Sequence, residues 1–202
     1  QMEMQYFHQP QQGAELIAKW QQERWRWYLG LGLPANKIRW QRHERLAHYA
    51  TDAYDLEYNF SSLGSWKEIE GVHGRGDWDL SQHSKFSGCD LSYFAEASKQ
   101  RFIPHIVETS VGLNRLLFIV LDNFYDLDEV AGESRIVLRL PNFLAPVTAA
   151  VFPLLKNKVD LTTKAQQLYR QLKKTCWVEY DDNGNIGKRY RRQDEIGTPF
   201  CL

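Results

Sequence analysis

Apolar and polar positions along this chain change period several times, and each change predicts an element. Residues 1–7 alternate Met2, Met4 and Tyr6 against Glu3, Gln5 and Phe7, a strand pattern that puts Glu3 on one face with Gln5. From Ala14 to Leu29 the spacing turns helical and stops at Gly30; its tryptophans Trp20, Trp25 and Trp27 read as packing anchors rather than a ligand cage. Tyr54, Leu56, Tyr58 and Phe60 then alternate with Asp55, Glu57 and Asn59, and Trp66, Glu68 and Glu70 with Lys67 and Ile69. Two neighbouring strands of an antiparallel sheet are expected there, with Glu68 and Glu70 on one carboxylate-bearing face. A further strand aligns Ile106, Glu108 and Ser110. Immediately after it Leu113, Leu116, Leu117, Val120, Leu121 and Phe124 recur at helical spacing, which puts Arg115 in the first helical turn.

An acidic, glycine-containing link at about Ala131 to Ser134 marks a composition shift. Beyond it come the strand-like IVLRL and APVTAAVF, a helix from about Thr162 to Lys174, a strand at Trp177 to Tyr180 and the turn DDNGNIG. This order predicts a small α/β domain with a mixed sheet, so the chain divides into residues 1–133 and 134–202 and the fold class is α+β.

Charge is balanced overall, with 25 basic and 25 acidic side chains, and by itself excludes a strongly basic nucleic-acid binder. Locally it is not balanced: Lys156 to Arg192 holds ten Lys or Arg against four Asp or Glu. Within that segment Lys188, Arg189, Arg191 and Arg192 interleave with Tyr190, a mixture suited to phosphates and stacked, unpaired bases, or to an ordinary solvated surface. Cys89, Cys176 and Cys201 are far apart, so neither a zinc cluster nor a disulfide framework is indicated and a reducing, cytosolic setting fits. The longest apolar stretch, Leu116 to Leu121, is too short to cross a bilayer.

The stretch 101–117, RFIPHIVETSVGLNRLL, concentrates the candidate chemistry: a carboxylate to accept from a cation at Glu108, a hydroxyl at Ser110 and a guanidinium for phosphate at Arg115. The alternative for Arg115 is a surface ion pair with a nearby acid. No Ser/His/Asp, Cys/His or metal-histidine spacing competes for a nucleophile role.

This stretch resembles motif 3 of class II aminoacyl-tRNA synthetases, in the glycyl-tRNA synthetase family. Three other blocks agree, in family order: QMEMQYF resembles the end of motif 2, WKEIEGVHGRGDWDL the ATP and glycine segment, and GNIGKRYRRQDEIGTPF the anticodon-binding domain. The resemblance implies a partial class II catalytic domain with an antiparallel sheet, followed by an anticodon-binding domain truncated at its C-terminus. It also implies ATP-dependent formation of glycyl-adenylate and transfer of glycine to tRNA(Gly), in a cytoplasmic homodimer with no membrane association. Arg115 then takes the ATP γ-phosphate, Glu68 the Mg²⁺ bound to ATP, and Arg75 the glycine carboxylate. Glu3, Glu108 and Ser110 surround the ammonium, and Lys188, Arg189, Arg191 and Arg192 meet the tRNA. His48, Tyr49, Asp77, Asp79 and His83 match family positions expected to support these groups rather than react.

Thr109 and Asn114 depart from the family's usual Pro and Asp. Motif 1, which forms the family's dimer interface, and the first half of motif 2 would lie before Gln1, so residues 1–202 alone are expected to be inactive. Two rivals remain at this point: a non-catalytic relative that binds nucleic acid as an accessory subunit, and a class II synthetase for another amino acid. Retention of ATP and ammonium ligands in register argues against the first, and the absence of a Cys/His cluster weighs against a threonine enzyme.

Overall fold

The computed structural model describes residues 1–130 and 132–202; the first residue of the predicted link, Ala131, lies outside them. Two compact units divide the chain at Ile119/Val120.

The first unit is built on a five-stranded antiparallel sheet. Strand β1 (Met2–His8) leads into helix α1 (Gly13–Gly30), which is followed by β2 (Ile38–Arg42), β3 (Asp52–Phe60) and β4 (Ser65–Gly76). Helix α2 (Trp78–Ser87) and the short pair β5 (Tyr93–Ala95) and β6 (Gln100–Phe102) precede β7 (His105–Val111). The spatial order is β1-β7-β4-β3-β2. Helix α3 (Leu113–Phe124) follows β7, and the division between the units falls within it.

Alternation explains why this sheet has one wet and one dry side. Leu56, Tyr58 and Phe60 of β3 pack with Ile69, with Tyr28 of α1 and with Ile119 of α3, all essentially out of contact with water. A second cluster joins Ile17 of α1 to Val72 and Val107. The opposite face carries Asp55, Glu57, Glu68, Glu108 and Glu3, so the predicted carboxylate-bearing face exists.

Glu70 is not on it. Pairing between β3 and β4 slips after Leu56, so that Leu56 faces Glu70 but Glu57 faces Glu68, one residue of β4 being extra. Such a bulge sends two consecutive side chains to the same side. Ile69 and Glu70 both enter the core, and Glu68 is turned to the open face. The Glu70 carboxylate, 1% exposed, is gripped by Arg24 of α1 through Nε at 2.5 Å and Nη2 at 3.0 Å. The face expected to hold Glu68 and Glu70 together is therefore split by one inserted residue, and Glu70 forms an internal ion pair with Arg24.

The second unit holds the hairpin β8 (Tyr125–Val130) and β9 (Glu133–Leu138), then β10 (Ala149–Val151), α4 (Val159–Leu172), β11 (Val178–Tyr180), α5 (Ile186–Ile196) and β12 (Phe200–Cys201). β10 pairs in parallel with both β11 and β12. The described sheet is thus parallel where a mixed one was expected, antiparallel pairing in this unit being confined to β8–β9. That hairpin is tied to α5 by Arg135 to Asp194 at 2.8 Å and Arg191 to Glu133 at 3.1 Å. It therefore belongs with α5 rather than with the sheet before it, which is why the compact division falls earlier than the composition shift at 131–134. Helix α5 is stopped by Gly197 at φ +78°, where a Cβ would stand 2.8 Å from the Leu138 carbonyl oxygen, so the left-handed turn and the close approach both require glycine.

Candidate active site

The open face of the first sheet collects the predicted groups by register. Glu3 pairs with Ser110 and Gln5 with Glu108 across β1 and β7; Gly71 pairs with Ser110 and His73 with Glu108 across β7 and β4. Directly opposed residues share a face, so Glu3, Ser110 and Glu108 stand in two adjacent rows with a bare glycine beside the serine. Glu108 is buried among polar neighbours: it accepts from Gln5 Nε2 at 3.3 Å and lies 3.5 Å from Arg75 Nη1 and 3.9 Å from His73 Nδ1.

Arg75 is held from two sides. Asp79, in the first turn of α2, accepts from its Nε at 2.6 Å and its Nη2 at 2.9 Å, and the guanidinium carbon lies 4.5 Å from the centre of the Tyr49 ring. Tyr49 packs in turn with His48 and Trp78. The Asp79 hydrogen bonds push Arg75 further above the usual arginine range, against its partial burial, with Glu108 adding to the effect. The same bonds hold Asp79 below the usual carboxylate range. Asp79 and Tyr49 thus hold the Arg75 guanidinium between them, and Asp77 accepts from Ser81 Oγ at 3.0 Å at the start of α2.

Arg115 and Glu68 meet at the other end of this face. Arg115 Nη1 donates to the Glu68 carbonyl at 2.7 Å and lies 3.6 Å from Glu68 Oε1. Both side chains are about half exposed, 49% and 54%. They line a cavity of about 600 Å³ together with Gln1, Ser110 and the β7–α3 turn at Gly112. Leu116 N–H bonds back to the Gly112 carbonyl at 2.9 Å, fixing the helix start and therefore the direction of Arg115. A hard carboxylate oxygen beside a guanidinium, open to solvent and next to a helix N-terminus, suits a polyphosphate with its divalent ion.

Reasoning from sequence missed one cluster on the same face. His43 Nε2 is 2.8 Å from Asp55 Oδ2, and His73 Nε2 is 3.9 Å from Asp55 Oδ1. Burial pushes the Asp55 carboxyl up, but the His73 and His43 rings outweigh it and hold it below the usual carboxylate range. These residues come from three separate segments, so no local spacing announces them.

In the second unit the basic run is α5, not an open patch. Asn185 caps it, its Oδ1 accepting from Lys188 N–H at 2.9 Å. Lys188 is exposed, whereas Arg192 pairs with Asp181 and Arg191 with Glu133. Arg189 contradicts the surface assignment: it is 2% exposed, and its guanidinium donates to the carbonyls of Pro153, Asp182 and Gly184. A side chain so enclosed cannot meet an RNA. Lys188, Tyr190 and Arg191 instead line a cleft of about 450 Å³ that also holds Glu133 and Asp194.

Residues 148–202, which include this parallel sheet and α5, match the anticodon binding domain family. Across its full length the chain is 49% identical to a glycine–tRNA ligase of Chlorobaculum tepidum, 45% to one of Streptomyces coelicolor and 46% to one of Borrelia garinii subsp. bavariensis. Over its whole length, the chain is homologous to glycine–tRNA ligases. It spans 43%, 45% and 46% of those three relatives, so it corresponds to somewhat less than half of each. No helix among the described residues is long and apolar enough to cross a membrane.

Proposed function

We propose that this chain is part of a glycine–tRNA ligase, its first unit supplying much of the adenylate-forming site and its second unit engaging the anticodon arm of tRNA(Gly). The observation that carries the reading is the arrangement on the sheet's open face. Arg75, fixed by Asp79 and Tyr49, sits beside Glu108, with Ser110 and Glu3 in the next row and Glu68 with Arg115 at the far end. A free amino acid is a zwitterion, and this face offers a cation for its carboxylate next to two carboxylates and a hydroxyl for its three N–H donors. Glycine has no side chain, so selection rests on leaving no room beyond Cα.

With both substrates held, the glycine carboxylate oxygen attacks the α-phosphorus of ATP, and pyrophosphate leaves as the acyl-phosphate bond forms. The 3′-terminal ribose hydroxyl of the tRNA then attacks the carbonyl, and AMP departs. The protein's contribution is positioning and charge stabilisation, because the substrates provide the nucleophiles. Arg115 would fork onto phosphate oxygens, and Glu68 would hold Mg²⁺, which when bound neutralises phosphate charge. A homodimer and a cytoplasmic location accompany the reading, on the strength of family resemblance. ATP–pyrophosphate exchange by the full-length protein, run across amino acids, tests it: exchange should depend on glycine, and exchange driven by another amino acid would overturn the assignment.

In the full-length protein Arg115→Ala should raise the ATP concentration needed for half-maximal exchange by about tenfold, the low end for a charged hydrogen bond because water screens a half-exposed guanidinium. Glycine affinity and thermal stability should hardly move. Unchanged ATP kinetics would reduce Arg115 to a brace on the Glu68 carbonyl.

For the second unit, replacing Lys188 and Arg191 by Ala should weaken tRNA binding and reduce the slope of log affinity against log salt by about one for each phosphate no longer neutralised. Exchange should persist, since its groups lie in the first unit. An unaltered salt slope would move the RNA surface away from α5.

A further inference from the structure

His43, Asp55 and His73 converge from three neighbouring segments of the first sheet. His43 follows β2, and its backbone N–H donates to the Ala53 carbonyl at 3.0 Å, which ties it beside β3. Asp55 lies two residues further along β3, and His73 of β4 pairs with Ala53. One donor atom from each lies within 4.8 Å of the other two. Both Nε2 atoms are shielded from solvent and neither makes a well-directed hydrogen bond, although both lie near the same carboxylate. Buried polar nitrogens in that state call for a partner. A cation placed between them and Asp55 would satisfy all three groups at once.

Gly71 supplies a second, independent observation. It pairs with Asp55 across the strands, and a Cβ built on it would stand 2.8 Å from His73 Cε1 and 2.9 Å from His73 Nε2. The imidazole therefore lies over bare backbone to reach Asp55. No left-handed backbone requires glycine at this position, so what its missing side chain provides is room for the ring.

We propose that His43, Asp55 and His73 form a three-ligand site for a divalent transition ion of the zinc class. Two imidazole nitrogens and one carboxylate oxygen are the donor set for such ions, whereas Mg²⁺ prefers oxygen throughout. Around a tetrahedral zinc with bonds of about 2.0–2.1 Å, donor atoms sit about 3.3 Å apart. His43 Nε2 lies 2.8 Å from one Asp55 oxygen and His73 Nε2 3.9 Å from the other, and one donor atom from each residue lies within 4.8 Å of the other two, so side-chain shifts would close the site and leave a fourth position for water. Behind the site, His73 Nδ1 lies 3.9 Å from Glu108 Oε1, a contact that would have to shorten to a hydrogen bond for the carboxylate to fix the tautomer of a ligating histidine. None of the three ligands is assigned to glycine, ATP or tRNA, and the site stands whether or not the ligase reading holds.

The test is to strip the purified protein of metal and titrate it with Zn²⁺ against a chromophoric chelator, and separately with Co²⁺ while recording visible absorption. One tight equivalent of Zn²⁺ is expected, undisturbed by excess Mg²⁺. Co²⁺ should give the ligand-field bands of a low-coordinate ion without a thiolate charge-transfer band, which separates the site from Cys89, Cys176 and Cys201. His43→Gln, His73→Gln and Gly71→Ala should each weaken Zn²⁺ by at least about tenfold, with folding checked by circular dichroism. His83→Gln should leave the affinity unchanged. The absence of a saturable equivalent in the wild-type protein overturns the proposal without reference to any variant, as does an equivalent that survives both His73→Gln and Gly71→Ala.

Discussion

Arg189→Met should destabilise the second unit by about 3 kcal/mol or more, since each buried acceptor left unpaired costs roughly 1–3 kcal/mol. The guanidinium joins the Pro153 carbonyl beyond β10 to the turn before α5 at Asp182 and Gly184. One planar group with several fixed donors thus closes backbone acceptors on the two segments that run just beyond the paired ends of β10 and β11. Arg189→Lys should fail nearly as badly, because a single ammonium cannot span the fork. Urea unfolding followed by a probe in the second unit measures the effect. Lys188→Ala, one residue away but exposed, should leave the midpoint in place. Equal midpoints for wild type and Arg189→Met would show that those carbonyls find other partners.

Glu108→Gln in the full-length protein should reduce glycine use roughly 10–100-fold, the equivalent of losing one hydrogen bond to a charged group. The substitution keeps shape and removes charge. Arg75 remains held by Asp79 and Tyr49, so the guanidinium that faces the substrate carboxylate should not collapse. The loss should therefore appear as a higher glycine requirement in pyrophosphate exchange, with the ATP requirement and the melting temperature little changed. Intact glycine kinetics would remove Glu108 from the ammonium site, and a matched rise in both requirements would point to general damage of the face.

Local periodicity made much of the first sheet legible. β1, β3 and β7 alternate cleanly, α1 and α3 carry helical apolar spacing, and the register then brings Glu3, Glu108 and Ser110 together as period two requires. Helix α5 was hidden because its buried positions are polar: Arg189 and Gln193 occupy places where a helix normally shows Leu or Ile. Its caps were the usable signal, Asn185 before it and Gly197 after it. The His43, Asp55 and His73 cluster was illegible for a different reason, since it exists only once β3 lies between β2 and β4. Nor does WKEIEG disclose its bulge, because unbroken alternation and alternation with one added residue look the same until the partner strand is known.

That added residue makes β4 a strand with a phase slip. Up to Glu68 its even-numbered positions answer to solvent and substrate, and from Glu70 onward they answer to the interior. A substitution scan along the strand, scored for both folding and turnover, should show the two phenotypes alternating and then exchanging parity between 68 and 70. Two glutamates separated by one isoleucine would thus be recorded by different assays.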